Sequence, residues 1–163
     1  MPDNTLFLDC DGVLAAFDAL ATTILGMPPQ LFEDTYGTTA FWQRLRDYED
    51  FYYQLDLMPD AMALWNGTKH LHPVILTGCP VGGWAEGQKR RWAHKMFGEV
   101  MIITTMARQK CEHITQPGDI LIDDRLTYRQ HWEEAGGIFV HHVSAQASLA
   151  ALRTLKPAWF VEH

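Results

Sequence analysis

The sequence has 163 residues, of which 47% are hydrophobic and 20% charged, and its formal net charge at pH 7 is −7. We predict a single globular domain over residues 1–163. No segment approaches the roughly 18 consecutive apolar residues of a membrane span, and the acidic balance argues against polynucleotide binding. The N-terminus lacks a signal-peptide pattern and the three cysteines suggest no disulfide framework, so a reducing cytoplasm is the simplest expected setting.

The first predicted strand, residues 5–9, ends in two carboxylates, Asp9 and Asp11, with Gly12 directly after them. Positions i and i+2 share one face of a strand, and in the turn that follows the two side chains can diverge and serve separate functions. Two acids at the end of a buried strand cost desolvation energy unless a partner neutralises them, and Mg²⁺ prefers such oxygen ligands. The plain structural alternative is an ordinary Asp-Gly turn.

The second segment is helical in pattern from residue 13 to about 53, with breaks at Pro28-Pro29 and at Gly37. It is rich in aromatic residues, most of which we expect to pack in a core. Pro59 then opens a further helix. We therefore predict a small helical cap, residues 15–58, inserted into a core made of residues 1–14 and 59–163.

The remaining chain alternates strands and helices. The predicted strands are 73–77, 100–104, 119–123 and 138–141, and the predicted helices are 84–97, about 108–112, a segment ending at 135, and 144–155. This alternation favours an α/β fold, a doubly wound parallel sheet with helices on both sides. Helix 84–97 carries a basic run that we expect to be a solvated face, with phosphate steering as the alternative: Lys89, Arg90, Arg91 and Lys95.

Polar residues follow three of the predicted strands: Asp9 and Asp11, then Thr77, then Asp123 and Asp124. Ligands of doubly wound sheets bind at the carboxyl ends of the strands, so we expect these side chains to meet. Asp123 and Asp124 would complete the metal shell, one directly and one through water.

Phosphoryl transfer is the chemistry that this set can perform. Asp9 could attack phosphorus as a carboxylate nucleophile, and Asp11 could protonate the leaving oxygen and later activate water. Thr77 and the amide of Gly78 can bind phosphoryl oxygens, and Lys110 could supply positive charge to them.

The arrangement resembles the haloacid dehalogenase (HAD) superfamily of phosphohydrolases. The motifs that carry the resemblance stand in the family's order: residues 7–14, residues 75–78, Lys110, and residues 121–125. It implies a Rossmann-like core, Asp9 as nucleophile, Asp11 as acid/base, and Mg²⁺ bound by Asp9, the Asp11 carbonyl and Asp124. The dehalogenase branch lacks the second aspartate, so Asp11 favours phosphoryl chemistry.

Within that superfamily the chain is most similar to the small 5′(3′)-deoxyribonucleotidases. The similarity lies in residues 9–17 and in the aromatic residues of the insert, and it implies a nucleoside pocket lined by Phe17, Phe41, Trp42 and Tyr52. The loop after Thr77 departs from that group, which has Ser-Pro and then a lysine where this chain has Gly78-Cys79-Pro80. The departure bears on the second phosphate contact and on nucleotide preference.

The expected function is a Mg²⁺-dependent phosphomonoesterase that acts on (deoxy)nucleoside monophosphates through an aspartyl-phosphate, so its partner is a small-molecule phosphomonoester. One alternative is a 3′-phosphatase that resembles the phosphatase half of polynucleotide kinases, on residues 122–127, Trp132 and Gly136. The same motifs are also compatible with a small-metabolite phosphatase, a phospho-accepting receiver module, or a degenerate binding module on this fold. Oligomeric state is not predicted.

Overall fold

The computed structural model of the chain describes residues 4–162. At its centre is a five-stranded sheet in which every neighbouring pair is parallel, in the order β3-β2-β1-β4-β5. The strands are β1 (Leu6–Leu8), β2 (Val74–Gly78), β3 (Met101–Thr105), β4 (Ile120–Asp123) and β5 (Ile138–His141). The predicted α/β fold with a parallel sheet is confirmed.

The central strand β1 is buried along its whole length. Parallel strands carry helices on both faces and therefore read as continuous apolar runs rather than alternating ones. Leu8 lies beside Ile75 of β2 and Ile122 of β4, so the three strands end at the same edge of the sheet. This register brings the polar residues that follow each strand to one place.

Seven α-helices and three short 3₁₀ segments surround the sheet in the described residues. The helices are α1 (Phe17–Leu25), α2 (Pro29–Tyr36), α3 (Thr38–Asp47), α4 (Ala61–Thr68), α5 (Glu86–Phe97), α6 (Arg129–Glu134) and α7 (Ala145–Leu155). The 3₁₀ segments are Lys69–Leu71, Ala107–His113 and Pro157–Phe160. Within residues 4–162, none of the helices has the length and apolar character needed to cross a membrane.

Helices α1 to α3 lie between β1 and α4, as predicted for the insert, and the two predicted breaks separate them. The two ends of the insert lie side by side. Met58 N–H donates to Leu14 O and Ala16 N–H donates to Asp56 O, both at 2.8 Å. The exact limits of the cap, 15 and 58, stay a prediction.

The predicted continuation of the helical pattern to residue 53 is wrong, since α3 ends at Asp47. Asp50 has a φ of 53°, which no α-helix contains. Residues 50–55, the return segment, are bound instead by side chains of α5. Gln88 Oε1 accepts from Tyr52 N–H at 2.9 Å and Trp92 Nε1 donates to Leu55 O at 2.8 Å. Tertiary contacts with the core therefore override the local pattern.

Candidate active site

The loop after β1 aims Asp9 and Asp11 at different neighbours. The carbonyl oxygen of Cys10 accepts hydrogen bonds from the N–H groups of Val13, Leu14 and Ala15, at 3.2, 2.8 and 2.9 Å. This tight turn follows Asp9 directly. As a result Asp9 contacts Lys110, which follows β3, whereas Asp11 contacts Lys89 of α5.

Lys110, in the 3₁₀ segment Ala107–His113, connects Asp9 to Asp123. Its ammonium donates to Asp9 Oδ1 at 2.8 Å and to Asp123 Oδ2 at 3.0 Å, and all three residues are buried. Burial by itself would raise the pKa of Asp9, but the charge and hydrogen bond of Lys110, a hydrogen bond with Asp124 and the charge of Lys89 together outweigh burial and lower it. Asp9 is therefore a carboxylate at neutral pH, which is the form that a nucleophile needs.

Three carboxylates crowd together beside Lys110. Asp9, Asp123 and Asp124 each offer an oxygen, and these oxygens lie within 4.8 Å of one another. Burial and the neighbouring Asp9 carboxylate raise the pKa of Asp123 to about 6 and that of Asp124 to about 8. Asp124 Oδ1 is buried and accepts no hydrogen bond within residues 4–162. An all-oxygen donor set with an unsatisfied buried oxygen fits a hard divalent cation such as Mg²⁺.

Lys89 is buried in the site, which corrects the prediction that the basic run of α5 is a solvated face. Its side chain is 1% exposed, and its ammonium donates to Asp11 Oδ2 at 2.9 Å, to Thr77 Oγ1 at 2.8 Å and to Gly78 O at 2.8 Å. The other three basic residues of the run are exposed, as predicted: Arg90, Arg91 and Lys95. Burial would lower the pKa of Lys89, but Asp11, with smaller contributions from Tyr52, Cys10 and Cys79, outweighs burial and raises it, so the ammonium stays charged.

A signal for Lys89 was present in the sequence. The buried residues of α5 and its start, Ala85, Lys89, Trp92 and Ala93, follow the spacing i, i+4, i+7 and i+8 of one helix face. A lysine at an apolar position of that face requires a buried partner. Because Lys89 belongs to a run of basic residues in the sequence, its place on the buried face of the helix is easily overlooked.

Two glycines let the motifs approach each other. A Cβ at Gly12, whose φ is 83°, would lie 2.1 Å from Asp124 Oδ2. A Cβ at Gly78 would lie 2.9 Å from the Cβ of Ala107. Such separations are shorter than side chains tolerate, so the site needs glycine at both positions.

Of the four aromatic residues predicted to line a nucleoside pocket, three are buried: Phe17, Phe41 and Tyr52. Trp42 is half-buried and lies 6.5 Å, between ring centroids, from Trp84, which the sequence reasoning missed. Trp84 in turn lies 5.3 Å from Tyr52, and the Tyr52 ring lies 4.5 Å from the Lys89 ammonium. Trp42, Trp84 and Tyr52, the aromatic row, therefore connect the insert to the acidic site. A nucleoside-binding role for these rings stays a prediction.

Fold and site together place the chain among α/β proteins with a HAD-like core: a parallel sheet of order 3-2-1-4-5, helices inserted after β1, and aspartates at the carboxyl edge. It is similar to the structure of a Lactobacillus plantarum protein described as a candidate phosphoglycolate phosphatase. That match has a TM-score of 0.59 and 17% identity, and it covers 90% of this chain and 89% of that one. It is also similar to a HAD-superfamily hydrolase from Ehrlichia chaffeensis, with a TM-score of 0.54, 12% identity, and coverage of 93% and 96%.

At these identities the structural similarity establishes the fold. No protein-family model matches the sequence, and no curated protein matches it. Neither of the two structures named above is described as a nucleotidase. The HAD-like fold is thus supported, while the resemblance to the deoxyribonucleotidase group rests on the motifs and aromatic residues alone.

Proposed function

We propose that the protein is a Mg²⁺-dependent phosphomonoesterase of the HAD type. The observation that carries this proposal is that Asp9 and Asp11 each have a buried lysine of their own, Lys110 and Lys89, beside the unsatisfied carboxylate of Asp124. Lys110 favours the ionised form of Asp9, as a nucleophile requires, whereas burial raises the pKa of Asp11 in spite of Lys89, so Asp11 can hold a proton to donate. The adjacent oxygens can bind a cation.

Asp9, Asp124 and the backbone carbonyl of Asp11 would hold the Mg²⁺. Both oxygens of Asp123 already accept hydrogen bonds, from Lys110 and from the N–H of Arg125 at 3.0 Å, so Asp124 is the better direct ligand. When bound, Mg²⁺ supplies positive charge that offsets the repulsion between the Asp9 carboxylate and a phosphoryl group.

The side chains of the loop after β1 would carry out two displacements. Asp9 attacks phosphorus, the ester P–O bond breaks, and the leaving oxygen takes a proton from the Asp11 carboxyl group. Asp11 then removes a proton from water as that water attacks phosphorus, and the bond between phosphorus and Asp9 breaks. Inorganic phosphate leaves, and both acids return to their starting states.

Thr77 and Lys110 would bind the phosphoryl oxygens. The Thr77 hydroxyl oxygen accepts a hydrogen bond from Lys89, so its own proton is directed elsewhere and can be donated to a phosphoryl oxygen. Lys110 contributes charge from the Asp9 side of the site. Together with the Gly78 amide, these groups form a fixed set of donors around the reacting phosphorus.

For the substrate, we propose a (deoxy)nucleoside monophosphate. The aromatic row supports this choice, because Trp42 and Trp84 are partly exposed and lead to the Tyr52 ring beside Lys89. A base stacks favourably on such rings. The second candidate is a small-metabolite phosphate such as phosphoglycolate, because the Lactobacillus plantarum protein of similar structure is described as a candidate phosphoglycolate phosphatase. The net charge of −7 disfavours a polynucleotide end.

A phosphate-release screen tests the proposal. The panel comprises nucleoside monophosphates, 2-phosphoglycolate, sugar phosphates and 3′-phosphorylated oligonucleotides, each with Mg²⁺ and with a chelator. We expect Mg²⁺-dependent turnover that is highest on mononucleotides. If turnover is highest on phosphoglycolate or on oligonucleotides, the proposal that the substrate is a nucleoside monophosphate is wrong. Stoichiometric labelling of the protein by acetyl phosphate without turnover would indicate a receiver module.

A further inference from the structure

We propose that Lys89 is the positioning residue of the acid/base, in that its ammonium binds Asp11 Oδ2 and so holds the carboxyl group in the orientation that reaches the leaving group. The inference deepens the proposed function and rests on it. Its basis is the set of contacts that the Lys89 ammonium makes at the carboxyl edge of the sheet.

The Lys89 ammonium has no hydrogen left for a substrate. Its three N–H groups meet three acceptors at 2.8–2.9 Å, namely Asp11 Oδ2, Thr77 Oγ1 and Gly78 O. With its side chain 1% exposed, it is closed to solvent and to a phosphate. Lys89 therefore acts through the groups that it contacts.

Lys110 differs from Lys89 in this respect. Within residues 4–162 it donates two hydrogen bonds, to Asp9 Oδ1 and to Asp123 Oδ2, so one N–H remains for a phosphoryl oxygen. The geometry thus assigns charge stabilisation to Lys110 and positioning to Lys89.

The two oxygens of Asp11 have different surroundings. Oδ2 accepts from Lys89, whereas Oδ1 is buried and accepts no hydrogen bond among the described residues. The Asp11 side chain is 26% exposed although Oδ1 is buried, so a substrate meets the carboxyl group on the Oδ2 side, which Lys89 holds in place. Without the anchor the carboxyl group can rotate about its χ angles, and the proton is delivered less often in the reactive geometry.

Lys89 is itself fixed from two sides. Its helix α5 packs it between Ala85 and Trp92, and the Tyr52 ring of the return segment lies 4.5 Å from its ammonium. The main chain of the return segment is bonded to Gln88 and Trp92 of the same helix. The position of Asp11 is therefore linked to the insert through Lys89.

The test compares leaving groups. Proton donation matters little for 4-nitrophenyl phosphate, whose leaving oxygen is weakly basic, and greatly for an alkyl or nucleoside phosphate. For Lys89→Met we expect kcat/KM to fall on the order of 100-fold with alkyl phosphates and by less than about fivefold with 4-nitrophenyl phosphate. Lys69→Met, at an exposed lysine of the 3₁₀ segment Lys69–Leu71, is the control and should leave the whole series unchanged.

An equal loss across the series, or no loss, would overturn the positioning role. Wild-type protein that hydrolyses none of the esters would instead refute the proposed function. A loss that depends on the leaving group supports both proposals.

A second measurement covers the case in which Lys89→Met does not fold. In wild-type protein labelled with ¹⁵N-lysine, the protected Lys89 Nζ protons should give their own NMR signal. Asp11→Asn should shift that signal and speed its exchange with water, while the Lys110 signal moves less. A Lys89 signal that is unaffected by Asp11→Asn would contradict the proposal.

Discussion

The two ends of strand β4 carry buried aspartates in opposite circumstances. Asp119 precedes the strand, and its carboxylate accepts five hydrogen bonds, from the main-chain N–H groups of Thr5, Thr115 and Gln116, the Thr115 hydroxyl and the Asn4 amide. Burial would raise its pKa, but these donors outweigh burial and lower it. At the other end, Asp123 and Asp124 have raised pKa values, and Asp124 has a buried oxygen without a partner.

The difference separates a structural acid from a ligand-binding acid. A carboxylate whose oxygens are saturated by protein donors stabilises the fold and has no capacity left for a ligand. A cluster of carboxylates that repel one another costs stability until a cation or substrate arrives. The same residue type, a few positions apart on one strand, is therefore saturated by donors at one end and, in the proposed function, serves chemistry at the other.

The comparison is tested most severely by removing one charge at the carboxyl edge of the sheet, that of Asp9, and one at the opposite edge, that of Asp119. Asp9→Asn should reduce phosphate release on the order of 10⁴-fold, because the amide is not a nucleophile, while its thermal unfolding stays cooperative. Asp119→Asn, the matched change at the opposite end, should retain turnover in its folded fraction. Substantial residual activity in Asp9→Asn would end the assignment of the nucleophile.

Asp124→Asn should raise the Mg²⁺ concentration required for half-maximal activity by about 100-fold, since it removes a direct ligand. Its stability in chelator should equal or exceed that of the wild type. The pKa of Asp124 is raised to about 8 in the folded chain, so the folded state binds the extra proton and wild-type stability falls as the pH rises from about 4 towards 8. The variant should lose the Asp124 part of this slope in denaturant titrations at pH 5 and pH 8, while the part that comes from the raised pKa of Asp123 is not removed directly. An unchanged Mg²⁺ requirement would contradict the ligand assignment.

Asp119→Asn should lower the free energy of unfolding by about 2 kcal/mol at pH 7, because buried donors lose a charged acceptor. The pKa of Asp119 is lowered in the folded chain. The stabilisation is therefore present above the unfolded pKa of about 4, and it disappears as the pH falls through the folded value. Urea titrations should show the gap between variant and wild type closing at low pH. Asp18→Asn, at an exposed position, is the control, and a gap independent of pH would contradict the account.

Trp42→Ala should have the smallest effect, raising KM for nucleoside monophosphates about fivefold through the loss of stacking. The KM for 4-nitrophenyl phosphate should change less. Trp159→Ala, a half-buried tryptophan near the C-terminus, should change neither. Equal effects of Trp42→Ala on both substrates would mean that the ring only packs.

Some residues of the site could be predicted and others could not. Asp9, Asp11, Thr77 and Asp124 stand in short motifs at strand ends, where chain direction alone indicates the edge at which they lie, and Lys110 follows from the motif order of the family that the chain resembles. Lys89 and Trp84 have no motif, and their roles depend on which face of α5 and which loop of the core meet the return segment. The end of α3 at Asp47 escaped prediction for the same reason, because distant side chains bind the residues that follow it.

The sequence by itself determined the parallel sheet, the helices inserted after β1 and the acids at one edge, because apolar periodicity and strand-end polarity are local properties of the chain. Only the tertiary structure decided that each acid has its own lysine, and that Asp119 is saturated while Asp124 is not. Hydrogen-bond saturation and charge repulsion depend on distances of about 3–5 Å between residues far apart in the chain, and no local pattern encodes those distances.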